Sequence, residues 1–194
     1  DYMILMDRDL QIIDFIETCP TNIDVIKELF FGSYTAARRR MKILSDYGYV
    51  KRKREDISSG YIYYLGNEPK QINHMMKTSQ LYMNLMKHAT INDCRTQVEV
   101  KGEGIRPDVY AVFDYQGHTY RTFVEVELSN NPYPKIQAYE RIYNKGVLDP
   151  FPIVLYITNK RNVKSDILPI YKVDLNFTNF PNFLEELPKL KDLA

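Results

Sequence analysis

The sequence contains few of the residues on which several specialised classes of protein depend. Its 194 residues include only two cysteines, Cys19 and Cys94, which lie far apart in the chain. That spacing argues against a disulfide scaffold and against a CxxC zinc site, and it favours reduced thiols in the cytoplasm. No apolar run approaches the ~20 residues that span a bilayer. We therefore expect a cytoplasmic protein with no membrane partner.

A large net charge is also missing, because 26 Lys and Arg residues are balanced by 25 Asp and Glu residues. A chain so balanced has no overall field that would attract nucleic acid or an anionic membrane, so any basic surface must be local. The hydrophobic content of 44% is enough to bury a core, and the length fits one large or two small domains.

Residues 1–66 have the pattern of three short helices followed by a β-hairpin. The first helix is expected from about Arg8 to Thr18, with Asp7 as its capping residue and a stop at Pro20. Asn22 is expected to cap a second helix. Ser33 is placed to cap a third, from Tyr34 to about Asp46, because its hydroxyl can accept from the first-turn N–H groups. Strands at residues 49–54 and 61–65 follow, joined by a loop with Ser58, Ser59 and Gly60.

Basic residues concentrate between Ser33 and Arg54. Eight Lys or Arg residues stand there against a single acid, Asp46, which gives a local net charge of +7. On a helical wheel, Tyr34, Ala37, Met41 and Leu44 share the apolar face of the third helix. The basic cluster is either a nucleic-acid surface or merely a solvated face, which is the usual fate of a charge run.

The order of helix, Gly, aromatic residue, basic strand and Tyr-rich strand in LSDYGYVKRK and the residues after it resembles a winged helix-turn-helix domain. This resemblance implies DNA binding by the third helix and the hairpin. We predict groove contacts from Thr35, Arg38 and Arg39, because Arg bonds guanine edges in a bidentate manner. Supporting contacts are expected from Lys42 and, at DNA phosphates, from about two of the four hairpin cations, Lys51, Arg52, Lys53 and Arg54.

Residues 67–194 predict an α/β region that carries a second candidate site. The predicted elements are a Met-rich helix at 69–89, strands at 96–100, 107–113 and 120–128, a helix opened by Lys135, a strand at 151–158 and an aromatic tail. Strand alternation places Glu125 and Glu127 on one face, and Asp108 begins the neighbouring strand. Oxygen ligands on adjacent strands suit Mg²⁺ or Mn²⁺, although carboxylates on the wet face of a half-buried sheet would give the same pattern.

The order RPD, then VEVE, then a helix and a strand resembles the PD-(D/E)XK nuclease-like fold, in an αβββαβ arrangement with a mixed sheet. The matching positions are Asp108, Glu125 and Glu127. The family usually has Lys at the third position, so Glu127 is a departure, and Lys135 could reach back to supply the cation. The resemblance implies Asp108 and Glu125 as metal ligands and all four residues as catalytic if the site is active.

The two halves together resemble the replication-relaxation type of protein found on plasmids and other mobile elements. The resemblance implies an α+β protein with a winged helix at 1–66 and a nuclease-like domain at 67–194. The expected function is sequence-specific binding of double-stranded DNA in replication, mobilisation or control, as a homodimer that contacts other replication or mobilisation proteins, with the second domain as a scaffold. The alternatives are a Mg²⁺- or Mn²⁺-dependent endonuclease targeted by the winged helix, and a transcriptional repressor.

Overall fold

The computed structural model describes residues 3–54, 60–128 and 135–189, over which the fold is α+β. Contacts divide the chain into two units, Asp1–Met83 and Asn84–Ala194. The boundary predicted between residues 66 and 67 stays a prediction, because the helix that follows it contributes to both units. Within the described ranges, every helix is too short or too polar to span a bilayer.

Three helices open the first unit: α1 at Asp7–Thr18, α2 at Ile23–Phe30 and α3 at Tyr34–Asp46. The predicted caps of α2 and α3 are confirmed, since Asn22 Oδ1 accepts from Val25 N–H at 3.1 Å and Ser33 Oγ accepts from Ala36 N–H at 3.2 Å. Asp7 does not cap α1. It is the first helical residue, and Asp9 instead accepts the Met6 N–H at 2.7 Å.

A small antiparallel sheet completes this unit, with strands β1 at Thr21–Asn22, β2 at Lys51–Lys53 and β3 at Ile62–Tyr64 in the order β1-β3-β2. The predicted hairpin is therefore present as β2 and β3, while β1 was not foreseen. Ser58 and Ser59 lie outside the described residues. The apolar faces of the helices meet the sheet in one core, whose buried members include Ile12, Ile26, Met41, Leu44 and Val50.

Helix α4, Ile72–His88, runs from the first unit into the second. Among the described residues, the second unit then has five strands and two helices: β4 at Thr90–Thr96, β5 at Val109–Tyr115, β6 at His118–Val126, α5 at Ile136–Lys145, β7 at Ile153–Ile157, β8 at Ile170–Val173 and α6 at Phe180–Glu186. The order from α4 to β7 is αβββαβ, as predicted. Strand β8 was missed because its four residues carry little pattern.

The five strands form one mixed sheet in the order β4-β5-β6-β7-β8. Strands β4, β5 and β6 pair antiparallel, whereas β7 and β8 are parallel to β6. The apolar side of α5 packs with side chains of β6 and β7, including Phe123, Val154 and Tyr156. This packing places the first turn of α5 beside the end of β6.

The strand predicted at residues 96–100 is wrong, because β4 lies upstream and ends at Thr96. Gln97 has a φ of 51°, a left-handed conformation that ends the extended run. Val100 then bridges back to Ile105, and Gly102 adopts a φ of 80° between them. The alternation in VEVKGEG therefore belongs to a tight turn rather than to a strand.

Candidate functional site

Helix α3 exposes three residues that the sequence assigned to DNA contact: Thr35, Arg38 and Arg39. They stand outward because Ala37, Met41 and Leu44 on the opposite face are completely buried. With 3.6 residues per turn, burial of one face turns Thr35, Arg38 and Arg39 on the other face toward solvent. Of the apolar face predicted for α3, Ala37, Met41 and Leu44 are confirmed as buried, whereas Tyr34 is 41% exposed.

The guanidinium groups of Arg38 and Arg39 have no carboxylate partner among the residues that the structure describes. Arg38 lies over the ring of Tyr34, 5.2 Å from its centroid. A cation over an aromatic face is weakly held at an exposed site, so it remains available to an anion. These two arginines carry the strongest unbalanced charge on the exposed face of α3.

Arg40, the next residue of α3, is instead paired with a carboxylate inside the protein. Its Nε donates to Asp9 Oδ1 at 2.7 Å, and its Nη2 contacts the other oxygen of the same carboxylate. Asp9 is 1% exposed, and the hydrogen bond from Arg40 holds the pKa of Asp9 below its usual range. The pair ties α3 to α1. This pair was not predicted from the sequence, because the two residues are 31 positions apart in the chain.

The remaining predicted DNA contacts differ in how far their charges are already balanced. Lys42 pairs with Asp46, and Lys53 pairs with Glu68. Arg52 lies 3.5 Å from Asp46. Arg52 and Arg54 also cover the ring of Tyr61, at 4.6 and 4.0 Å from its centroid, whereas Lys51 is exposed.

In the second unit, the strand register brings two of the predicted carboxylates together. Val109 of β5 pairs with Val124 of β6, so Asp108 just before β5 lies beside the end of β6 that holds Glu125. Asp108 Oδ2 accepts the Val126 N–H at 2.8 Å. One oxygen of this carboxylate is therefore engaged by the backbone of the neighbouring strand.

Glu125 is the buried centre of this site, with 5% of its side chain exposed. Its Oε2 accepts from Lys135 Nζ at 2.7 Å, and its Oε1 accepts from the Tyr139 hydroxyl at 2.6 Å. Burial and, after it, the charge of Asp108 raise the pKa of Glu125 from 4.5 to about 7, although Lys135 and Tyr139 act in the opposite direction. Burial also raises the pKa of the Tyr139 hydroxyl, which favours its role as a donor.

Lys135 reaches the carboxylates from the start of α5. Besides Glu125, its Nζ donates to the carbonyl oxygen of Arg106 at 2.8 Å and lies 4.0 Å from Asp108 Oδ1. The sequence predicted that Lys135 could reach back to the carboxylates, and in the structure its Nζ contacts Glu125. One ammonium group thus links α5 to β6 and to the residues that precede β5.

Glu127 does not share these contacts. Its backbone N–H donates to Ile157 O at 3.0 Å, and its carboxylate lies 3.6 Å from Lys160 Nζ. Lys160 was not singled out from the sequence, and nothing in its local pattern marks it.

Tyr156 on β7 is a further member of the site that the sequence did not identify. The residue is 1% exposed, and its hydroxyl lies near the backbone N–H of Lys135 without a hydrogen bond of normal geometry. Burial raises its pKa, and the charges of Glu125 and Glu127 raise it further. The apolar sequence of β7 predicts a buried strand, but it does not indicate that a tyrosine hydroxyl lies beside the carboxylates.

This arrangement does not fit a divalent cation. Both oxygens of Glu125 and one oxygen of Asp108 accept hydrogen bonds from protein donors, and Glu127 pairs with Lys160. Among the described residues, no group of three or more His, Cys, Asp or Glu side chains is placed to hold a metal ion. The positive charge beside the carboxylates is supplied by Lys135.

The chain was compared with protein-family models, with curated proteins and with solved structures, and nothing matches it in any of the three.

Proposed function

We propose that this chain is a sequence-specific DNA-binding accessory protein of a plasmid, phage or other mobile element. The observation that carries the proposal is the outward face of α3, where Arg38 and Arg39 are exposed and have no described carboxylate partner. Such arginines can make bidentate bonds to guanine edges in the major groove.

The element order of the first unit supports a winged helix-turn-helix. Helices α1, α2 and α3 precede the paired strands β2 and β3, and β1 pairs with β3 as a third strand. In such domains the third helix enters the major groove and the hairpin contacts the backbone. The exposed Lys51 on β2 stands where a phosphate contact is expected.

The second unit is a PD-(D/E)XK-like scaffold in this proposal. Its αβββαβ order supports the fold assignment, and the engaged state of Glu125 supports a structural role for the carboxylates. A buried carboxylate that is held by Lys135 and Tyr139 anchors α5 on the sheet. Fold alone does not confer activity, so this unit is free to serve in dimerisation or partner contact.

A homodimer fits the proposal, because two winged helices that read two half-sites gain both affinity and spacing specificity. Replication or mobilisation proteins of the same element are the expected further partners. Sedimentation of the protein with and without its DNA site measures the stoichiometry directly.

The test is a band shift in EDTA with DNA from the parent element and with scrambled DNA of equal length. We expect a specific complex that Arg38→Ala or Arg39→Ala weakens by about 5- to 150-fold each, since a bidentate base contact is worth about 1–3 kcal/mol. Asp108→Ala and Arg141→Ala, which lie in the second unit, serve as matched controls and should leave the complex intact. Retention of specific binding by both α3 variants would refute the proposal.

A metal-dependent endonuclease is the second candidate, favoured by the contact of Lys135 with Glu125. In that case Lys135 would replace the lysine of the third motif, and the hydrogen bonds of Glu125 would have to open to admit Mg²⁺ or Mn²⁺. Incubation with supercoiled DNA in Mn²⁺, Mg²⁺ or EDTA separates the two functions. Metal-dependent nicking that both Asp108→Ala and Glu125→Ala abolish would establish the nuclease and displace the scaffold role.

A further inference from the structure

A row of four aromatic rings crosses the second unit, and one of its members, Phe123, also stacks on Tyr139 of the carboxylate cluster. Tyr110 and Phe123 have ring centroids 5.7 Å apart, Phe123 and Phe151 6.2 Å, and Phe151 and Tyr143 5.4 Å. Phe123 is buried, Tyr110 and Phe151 are partly buried, and Tyr143 is 45% exposed. A large exposed ring at the end of a packed row can stack against a planar ligand.

Two adjoining cavities follow this row. The larger, of about 1030 Å³, is lined by Tyr143, Phe151 and the prolines around them, and the smaller, of about 320 Å³, is lined by Tyr110 and Phe123. They share Arg121, Leu148, Asp149, Pro150 and Pro152, so they form one cleft with two lobes. Each lobe is within the size range of small-ligand sites.

Arg121 is the cation that both lobes share, beside the acid Asp149. It lies on β6 opposite Val112 and two residues before Phe123, so strand alternation turns it to the same face as the aromatic row. It is exposed and has no described carboxylate partner, as is also true of Lys101 at the rim of the smaller lobe. Arg95, in contrast, is paired with Asp93 at 2.8 Å.

We propose that this cleft binds a single DNA strand, with an unpaired base stacked on Tyr143 and a phosphate held by Arg121. An exposed aromatic ring beside unpaired cations is what proteins use for single strands without sequence preference. A duplex does not offer its base faces, so the rings would contribute little to duplex binding. The proposal adds a second DNA surface to the proposed function and does not use any residue of α3.

The test uses the full chain and a short fluorescein-labelled oligothymidine, which forms no duplex, and follows fluorescence anisotropy at several salt concentrations. We expect Tyr143→Ala to weaken binding by about tenfold, the loss of one stacked base. Tyr143→Phe, which keeps the ring, should bind as the unchanged protein does. Arg121→Gln should weaken binding and lower the salt slope by about 0.7, the value for one phosphate contact on a single strand.

Arg141→Gln is the matched control for charge, because Arg141 is exposed on α5 but does not line the cleft. The double variant with Arg38→Ala and Arg39→Ala separates the two proposals, since it should lose the duplex site and keep oligothymidine binding. Absence of oligothymidine binding by the unchanged protein would overturn the cleft proposal. Equal binding by Tyr143→Ala, Arg121→Gln and Arg141→Gln would overturn it as well.

Discussion

The two predicted sites differ in whether their charged side chains are paired within the protein. On α3 the cations Arg38 and Arg39 are exposed and have no described carboxylate partner, whereas in the second unit Glu125 is buried and both of its oxygens are bound by Lys135 and Tyr139. A buried charge must be compensated inside the protein, while an exposed cation costs little to leave open. The proposed function rests on this difference, because an exposed cation without a carboxylate partner is open to an anionic ligand.

The same contrast recurs within α3 itself. Arg39 and Arg40 are consecutive, yet Arg39 faces solvent and Arg40 is committed to the buried carboxylate of Asp9. Residue type alone therefore does not show which arginine of this helix is paired inside the protein. The position of each side chain relative to Asp9 determines it.

The largest effect on stability is expected from Asp9→Asn. The change leaves the guanidinium of Arg40 partly buried without its countercharge, which costs about 3 kcal/mol when a buried pair is broken. Asp7→Asn, an exposed neighbour in the same helical turn, should stay within about 0.5 kcal/mol. Urea unfolding of both variants measures the difference, and equal stabilities would contradict a structural role for the pair.

A pH dependence is expected from Glu125. Its folded pKa of about 7 lies above its ordinary 4.5, so the folded protein binds more protons between these values, and the stabilising contribution present at low pH is lost as the pH rises through 7. Between pH 5 and 7.5 the free energy of unfolding is expected to fall by about 2 kcal/mol for this reason. Comparison of the unchanged protein with Glu125→Gln isolates the effect, and identical pH profiles would contradict it.

A smaller loss of about 1.5 kcal/mol is expected from Tyr139→Phe, because the hydroxyl donates to a buried carboxylate. Tyr143→Phe, one turn further along α5 and exposed, should leave the free energy of unfolding unchanged. Chemical denaturation of the two variants at neutral pH makes the comparison. Equal losses of stability in the two variants would mean that the hydrogen bond from Tyr139 to Glu125 does not stabilise the fold.

The smallest effect is expected within β2 and concerns DNA alone. Lys51 is exposed, so Lys51→Ala should lower the salt slope of duplex binding by about 0.9, the value for one phosphate. Lys53 already pairs with Glu68, so Lys53→Ala should lower it by less. A larger change for Lys53 than for Lys51 would contradict this expectation, because both side chains lie on the same side of β2 and only the pairing with Glu68 distinguishes them.

Local signals predicted much of the secondary structure. Asn22 and Ser33 were predicted as caps, and the burial of Ala37, Met41 and Leu44 followed from helical spacing, although Tyr34, predicted on the same face, is exposed. These features depend on neighbours within four residues, so a single sequence contains them. The strand predicted at 96–100 failed for the complementary reason, because a turn at Gln97 can interrupt an alternating pattern without any visible mark.

Pairs that join distant parts of the chain could not be predicted with the same security. The bond of Arg40 to Asp9 and the burial of Tyr156 beside Glu125 depend on how elements pack. Lys135 was named only because a resemblance suggested a displaced lysine. Its contact with the Arg106 carbonyl has no counterpart in the sequence pattern.

The most direct measurement compares Arg39→Ala with Arg40→Ala for both duplex affinity and free energy of unfolding. We expect Arg39→Ala to weaken the specific complex by about 5- to 150-fold with stability unchanged, and Arg40→Ala to lose about 3 kcal/mol of stability. While it remains folded, the Arg40 variant should keep its DNA affinity. Loss of affinity in the Arg40 variant alone would contradict the assignment of the exposed face of α3 to DNA.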